Sequence, residues 1–188
     1  MRFKRKYKIV SARLRSWDYA SPGWYFVTIC TKQLKPYLGK IGEGLLILNE
    51  LGQTTYQYWS EIPQHHTYVT IDEIIVMPNH IHGILILAET LPVETPPAAE
   101  TLPVETLHAT SLLSSTMSSI APRRGSLGVI IRSFKSAVTR WARKNGHPNF
   151  AWQPRFYDHI IRNEDALSRI RFYIQINPMK WEHDKYFR

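Results

Sequence analysis

Ile74-Ile75-Val76-Met77-Pro78-Asn79-His80-Ile81-His82-Gly83-Ile84-Leu85-Ile86-Leu87 is the stretch that decides the fold of this 188-residue chain. Met77-Pro78-Asn79 breaks a nearly continuous apolar run, so two strands, Val69 to Val76 and His80 to Leu87, are expected on either side of a tight turn. Apolar residues at almost every position place these strands in the interior. Side chains alternate along a strand, so the imidazoles of His80 and His82 share one side. Two imidazoles so placed can grip one divalent metal ion. Taken alone, two His on a strand are more often packed, hydrogen-bonded residues than ligands, and the rest of the chain has to decide.

Upstream, Pro22-Gly23 is a turn signal and Trp24 to Thr31 is aromatic and β-branched, which predicts a first strand. Residues 37–48 carry Gly39, Gly42 and Gly44 among apolar residues and read as a hairpin near the N-terminus. Leu48, Leu51, Thr55 and Trp59 follow helical spacing, with Asn49 as the cap. Downstream, Gly125 to Asn145 is an amphipathic helix with an apolar stripe of Leu127, Ile130, Ile131, Phe134, Val138 and Trp141. Phe150 to Ile161 reads as a further strand. Asn163 caps a final helix whose Leu167, Ile170, Tyr173, Ile174 and Asn177 share a face, and Pro178 ends it. The order strand, hairpin, helix, two strands, helix, strand, helix is an α+β plan. Helices pack on a mainly antiparallel sheet with a ferredoxin-like βαββαβ core embedded in it.

The chain is one domain, 1–188, with an insertion at 88–122. There Ala88-Glu89-Thr90-Leu91-Pro92-Val93-Glu94-Thr95 recurs as Ala99 to Thr106, and a serine-rich stretch follows. Proline and low complexity argue for a loop rather than a packed element. The net charge of +9 and a pI near 9.7 point to polyanionic partners. The insertion holds four Glu and neither Lys nor Arg, so the remainder is more basic still. No apolar stretch reaches membrane-spanning length, and none follows the basic N-terminus as a secretory signal would. Cys30 is the only cysteine, which excludes an intrachain disulfide and a cysteine zinc site; a reducing cytoplasm is the expected compartment.

Tyr173 and Asn177 stand one helical turn apart. If their helix crosses the His80/His82 face, the grouping becomes His, His, Asn and Tyr. A metal held by two imidazoles and an amide oxygen would withdraw charge from a phosphate. The tyrosine hydroxyl could then attack phosphorus, its helix fixing distance and angle. Packing in an apolar stripe is the competing account of Tyr173. Tyr157, between Arg155 and His159, is a rival nucleophile on a strand. His65 and His66 are adjacent and point apart, which suits a solvent loop. Candidate DNA contacts are Arg13, Arg15 and Tyr19 of the N-terminal arm, Arg132, Lys135, Arg140, Arg143 and Lys144 of the amphipathic helix, and Trp152 and Arg155. That helix carries no acidic residue opposite its apolar stripe, so its cations are available to phosphate. Aromatic residues such as Trp152 could stack on unpaired bases.

Met77-Pro78-Asn79-His80-Ile81-His82 resembles the HUH motif (His, hydrophobic, His) of the single-tyrosine HUH transposases. Trp152 to Asn163 resembles the segment before their tyrosine helix, and Tyr173-Ile174-Gln175-Ile176-Asn177-Pro178 resembles the tyrosine motif. Asp18 to Cys30 is similar to the opening of the REP-associated branch, the RAYT proteins. The four stretches occur in the family's order and span most of the chain outside 88–122. The resemblance implies an enzyme, a DNA strand transferase dependent on Mg²⁺ or Mn²⁺ that acts on single-stranded or hairpin DNA. It implies cleavage and rejoining through a 5′-phosphotyrosine and a free 3′-OH. It makes Tyr173 the nucleophile and His80 and His82 metal ligands, with Asn177 where a related branch carries a glutamine ligand. Monomer and homodimer are both compatible with it. Two other classes stay open. One is a non-catalytic binding module for single strands on the same scaffold. The other is a hydrolytic nuclease, for which Asp72 and Glu73 are the candidate bases.

Overall fold

The computed structural model describes residues 17–43, 45–89 and 125–187. Arg13, Arg15 and the repeated and serine-rich parts of the insertion lie outside them. The elements are β1 (Gly23–Cys30), β2 (Gly39–Gly42), β3 (Leu45–Leu48), α1 (Glu50–Ser60), α2 (Ile62–His65), β4 (Val69–Val76), β5 (His80–Leu87), α3 (Leu127–Lys144), β6 (Tyr157–Ile161) and α4 (Glu164–Ile176). The main sheet has the order β4-β5-β1-β6 with every neighbouring pair antiparallel. Two split βαβ units, β1-α1-β4 and β5-α3-β6, interleave to give this order, which is the ferredoxin-like arrangement. The β2–β3 hairpin forms a separate two-stranded sheet.

Local chemistry sets the helix ends. Asn49 Oδ1 accepts the Gly52 N–H at 2.9 Å, and Asn163 Oδ1 accepts the Ala166 N–H at 2.8 Å, so both expected caps form. Pro178 follows Asn177, where α4 stops.

Strand parity then divides the interior in two. Tyr25, Val27 and Ile29 of β1 and Ile81 and Leu85 of β5 face α1 and the apolar stripe of α3, forming the larger core. Phe26 and Ile84 face the other way and meet Leu167 and Ile174 of α4. His80 and His82 share parity with Ile84, so they lie on the α4 side. On the opposite side Gly83 leaves room for Trp59: a β-carbon there would overlap the indole ring.

The strand expected from Phe150 begins only at Tyr157. Pro154 has no N–H to give a ladder, and the preceding stretch makes just one isolated bridge, Thr31 to Trp152. The β4 strand carries a bulge. Ile71 pairs with Leu85 and Ile74 with Gly83, so Asp72 and Glu73 together oppose the single residue Ile84.

Candidate metal centre and nucleophile

The β5 strand delivers both histidines from one face, and their Nε2 atoms converge to 2.9 Å. Each Nδ1 is engaged by the protein. His80 Nδ1 donates to Asn79 Oδ1 at 2.8 Å, and His82 Nδ1 lies 2.8 Å from Thr28 Oγ1. Asn79 is held in turn by donating Nδ2 to the carbonyls of Leu34 (3.1 Å) and Tyr186 (2.8 Å). Such outer bonds fix ring orientation and direct the remaining nitrogens to a common point.

The α4 helix crosses this face. Tyr173 Oη lies 3.2 Å from His82 Nε2, and its ring meets Phe26 edge-on. Beyond Asn177 the chain turns through a short 3₁₀ segment, Pro178–His183, and returns Asp184 to the site. Asp184 Oδ2 accepts from Tyr173 Oη at 3.4 Å and from Asn177 Nδ2 at 2.9 Å, while its Oδ1 accepts from the Tyr186 N–H at 2.7 Å. The expected grouping of His80, His82, Tyr173 and Asn177 is therefore brought together, and a carboxylate joins it.

Among the described residues, His80, His82 and Asp184 form a group able to hold a metal ion, with ligand atoms all within 4.8 Å of one another. The donor set fits a divalent cation. Neighbouring ligands of an octahedral ion with bonds of ~2.1 Å stand about 3.0 Å apart, which the two Nε2 atoms match. Asn177, expected as a ligand, is 2% exposed, and its Oδ1 is buried with no hydrogen-bond partner among the described residues. A buried carbonyl oxygen in that state is the kind of group a cation satisfies.

Electrostatics agree. Burial drives His80 down to about 4, against the opposing pull of Asp184 and with help from Lys185. Burial, the His80 neighbour and Lys185 hold His82 well below its ordinary value. Both imidazoles are thus neutral at pH 7, with lone pairs free to ligate. Burial, then Asp184 and Tyr186, push the Tyr173 phenol well above its ordinary value, so it keeps its proton in the metal-free protein.

Other expected site residues fall elsewhere. The apolar stripe of α3 packs on the face opposite the histidines, so exposed Arg132, Arg140, Arg143 and Lys144 are separated from the pocket by the sheet. Lys135 donates its ammonium to the carbonyls of Gln153 and Pro154, tying α3 to that segment, and burial lowers it to about 8. Trp152 is 7% exposed and packs against Phe134 and Phe150, so its ring offers no face to a base. Tyr19 is half-buried beside Tyr25, and its carbonyl accepts from the Leu127 N–H, while Arg155 is exposed. Tyr157 pairs with Thr28 and so shares the histidine side, but the Lys185 ammonium lies over its ring. His66 sits against Tyr68, and His65 is exposed at the end of α2. Asp72 and Glu73 are bonded to α4, and the carboxylate beside the histidines is Asp184. Asp184, Thr28 and the orienting part of Asn79 were not anticipated. The only available hint was a pair of acidic residues, Glu182 and Asp184, following the Pro178 break.

An uncharacterized protein of Haemophilus influenzae (strain ATCC 51907 / DSM 11121 / KW20 / Rd) is 39% identical over 180 residues, covering 94% of this chain and 92% of that one. This chain belongs to that protein's family. No family model matches the chain. Among solved structures, a REP-associated tyrosine transposase bound to a REP hairpin is similar with a TM-score of 0.55 at 19% identity, over 93% of this chain and 77% of the other. This chain thus shares the fold of that transposase. No helix among the described residues is long and apolar enough to cross a membrane.

Proposed function

We propose that this chain is a metal-dependent DNA strand transferase that cleaves and rejoins single-stranded hairpin DNA through Tyr173. The observation that carries the reading is the convergence of one phenol, two imidazole Nε2 atoms and one carboxylate within hydrogen-bonding range. His80, His82 and Asp184 would hold the cation, Mg²⁺ or Mn²⁺, with Asn177 Oδ1 as a further donor. When bound, such an ion supplies Lewis acidity toward a phosphate oxygen.

The protein's own part is positioning and proton transfer. Tyr173 is 37% exposed, so a strand can reach it. Asp184 Oδ2 faces the phenol and takes its proton. The Tyr173 oxygen forms the new bond to phosphorus, and the bond from phosphorus to the 3′ oxygen breaks, that oxygen taking up the proton Asp184 received from the phenol. A 5′-phosphotyrosine and a 3′-OH result; attack by a 3′-OH reverses the step and rejoins the strand. Lys185, placed over the rings of Tyr157 and Tyr186, puts positive charge at the mouth of the site. The exposed cations of α3 and Arg155 would serve more distant phosphates, and the N-terminal arm with Arg13 and Arg15 is proposed to do the same.

The test is incubation with hairpin oligonucleotides and Mn²⁺, followed by denaturing electrophoresis. The parent should form a covalent protein–DNA adduct, and Tyr173→Phe and His82→Ala should form none. An adduct in Tyr173→Phe removes the nucleophile. Binding without any adduct, indifferent to chelator and to His82→Ala, identifies a non-catalytic single-strand binding module. Cleavage that survives Tyr173→Phe and leaves no adduct identifies a hydrolase using Asp184.

A further inference from the structure

The α4 helix carries its nucleophile on one flank and a polar clamp on the other. At ~100° per residue, Ile174 points to the sheet, Tyr173 and Asn177 fall to one side of it, and Arg171 and Gln175 fall to the other. The contacts follow this division. Arg171 grips Asp72 with its Nε at 3.0 and 3.1 Å from the two carboxylate oxygens, and its second nitrogen bonds Oδ2 as well. Gln175 Nε2 donates to Glu73 Oε1 at 2.9 Å. Arg171 also lies over the Trp24 ring.

Asp72 and Glu73 are consecutive. In a regular strand they would point to opposite faces. Both reach α4 because they occupy the β4 bulge, where two residues stand against Ile84. Bulges re-aim side chains in this way.

We propose that the Asp72-Glu73 bulge, with Arg171 and Gln175, is a positioning device that sets the roll of α4 and thereby the place of the Tyr173 hydroxyl. This rests on the reading of Tyr173 as nucleophile. Ile170 and Ile174 make apolar contacts that resist separation of helix and sheet but resist rotation weakly. The phenolic oxygen stands roughly 8 Å from the helix axis, so a roll of about 10° carries it about 1.4 Å. A misplacement of that size slows positioned chemistry by roughly a hundredfold. A two-point clamp on the far flank opposes that roll. The planar Arg fork, bonded to both carboxylate oxygens, also fixes direction, which a single charge does not.

The test uses the full chain, Mn²⁺, and a pool of hairpin oligonucleotides with randomised single-stranded flanks, with 3-fluorotyrosine placed at position 173. The variants are Arg171→Lys, which keeps the charge and loses the fork, Asp72→Asn, and Gln175→Leu. The expected result is unchanged DNA affinity, with adduct formation at saturating DNA slowed about tenfold to a hundredfold for the two ion-pair variants. The single ¹⁹F line of the parent should broaden or split in the same variants. Gln175→Leu removes one exposed hydrogen bond, keeps the fold, and should show the same split between rate and affinity to a smaller degree. Parent-like rates with an unchanged ¹⁹F line in Arg171→Lys and Asp72→Asn overturn the proposal. Weakened DNA binding with an unchanged saturating rate also overturns it, by making Arg171 a phosphate ligand. If the parent forms no adduct with any hairpin, the transferase reading fails, and the ¹⁹F lines alone still decide the clamp.

Discussion

Lowering the pH from 7 to 5 in the presence of chelator should destabilise the protein through its two buried histidines. The unfolded chain titrates His80 near 6.5, whereas the folded chain does so at about 4. The folded state therefore binds fewer protons between these values, and stability falls as pH falls. The contribution is fully present above 6.5 and is lost by about pH 4. A difference of 2.5 pH units corresponds to about 3 kcal/mol for His80 alone, of which about 2 kcal/mol is gone at pH 5. His82 is shifted in the same direction and adds to the loss. Urea unfolding at pH 7, 6 and 5 measures the sum, and the His80→Gln/His82→Gln double variant isolates it from the remaining carboxylates. The parent should lose more stability than the double variant over this range. Mn²⁺ should add stability to the parent at pH 7 and progressively less towards pH 5, because protons and cation compete for the same nitrogens. Parallel pH profiles for parent and double variant would refute the claim that both imidazoles are buried in neutral form.

Asn79→Ala should weaken Mn²⁺ binding about tenfold to a hundredfold by releasing the His80 ring, as calorimetric titration will show. Gly83→Ala should cost about 1–3 kcal/mol in urea unfolding, because the new methyl meets the Trp59 indole. Mixing Tyr173→Phe with His82→Ala protein should restore no adduct formation, since the phenol and imidazole meet within one chain; recovery on mixing would show that the helix is exchanged between copies.

The fold was legible wherever short-range chemistry decides it. Proline and glycine mark the turns, Asn49 and Asn163 announce their caps, and the alternation at His80 and His82 assigns the histidine side. The strand expected from Phe150 went astray because aromatic content outweighed a single Pro154, whose missing N–H ends the ladder. Tyr173, Asn177 and the histidines could be grouped because each follows a regular period. Asp184 could not, since it arrives through an irregular 3₁₀ turn. Where the cations of α3 stand relative to the histidines was not legible for a similar reason: amphipathicity tells which side of a helix is buried but not which face of the sheet receives it. Asp72 and Glu73 looked like free carboxylates because a bulge leaves no mark in hydrophobic alternation.

The two-sided use of β5 has a consequence for quality control in folding. If this central strand paired with β1 one residue out of step, the imidazoles would be pressed among Leu127, Ile130 and Trp59, and aliphatic groups would stand where the two histidines now converge. That mispaired molecule would lose its oily interior and its histidine cluster in a single error. A molecule whose core is packed correctly is therefore one whose histidine pair is in place.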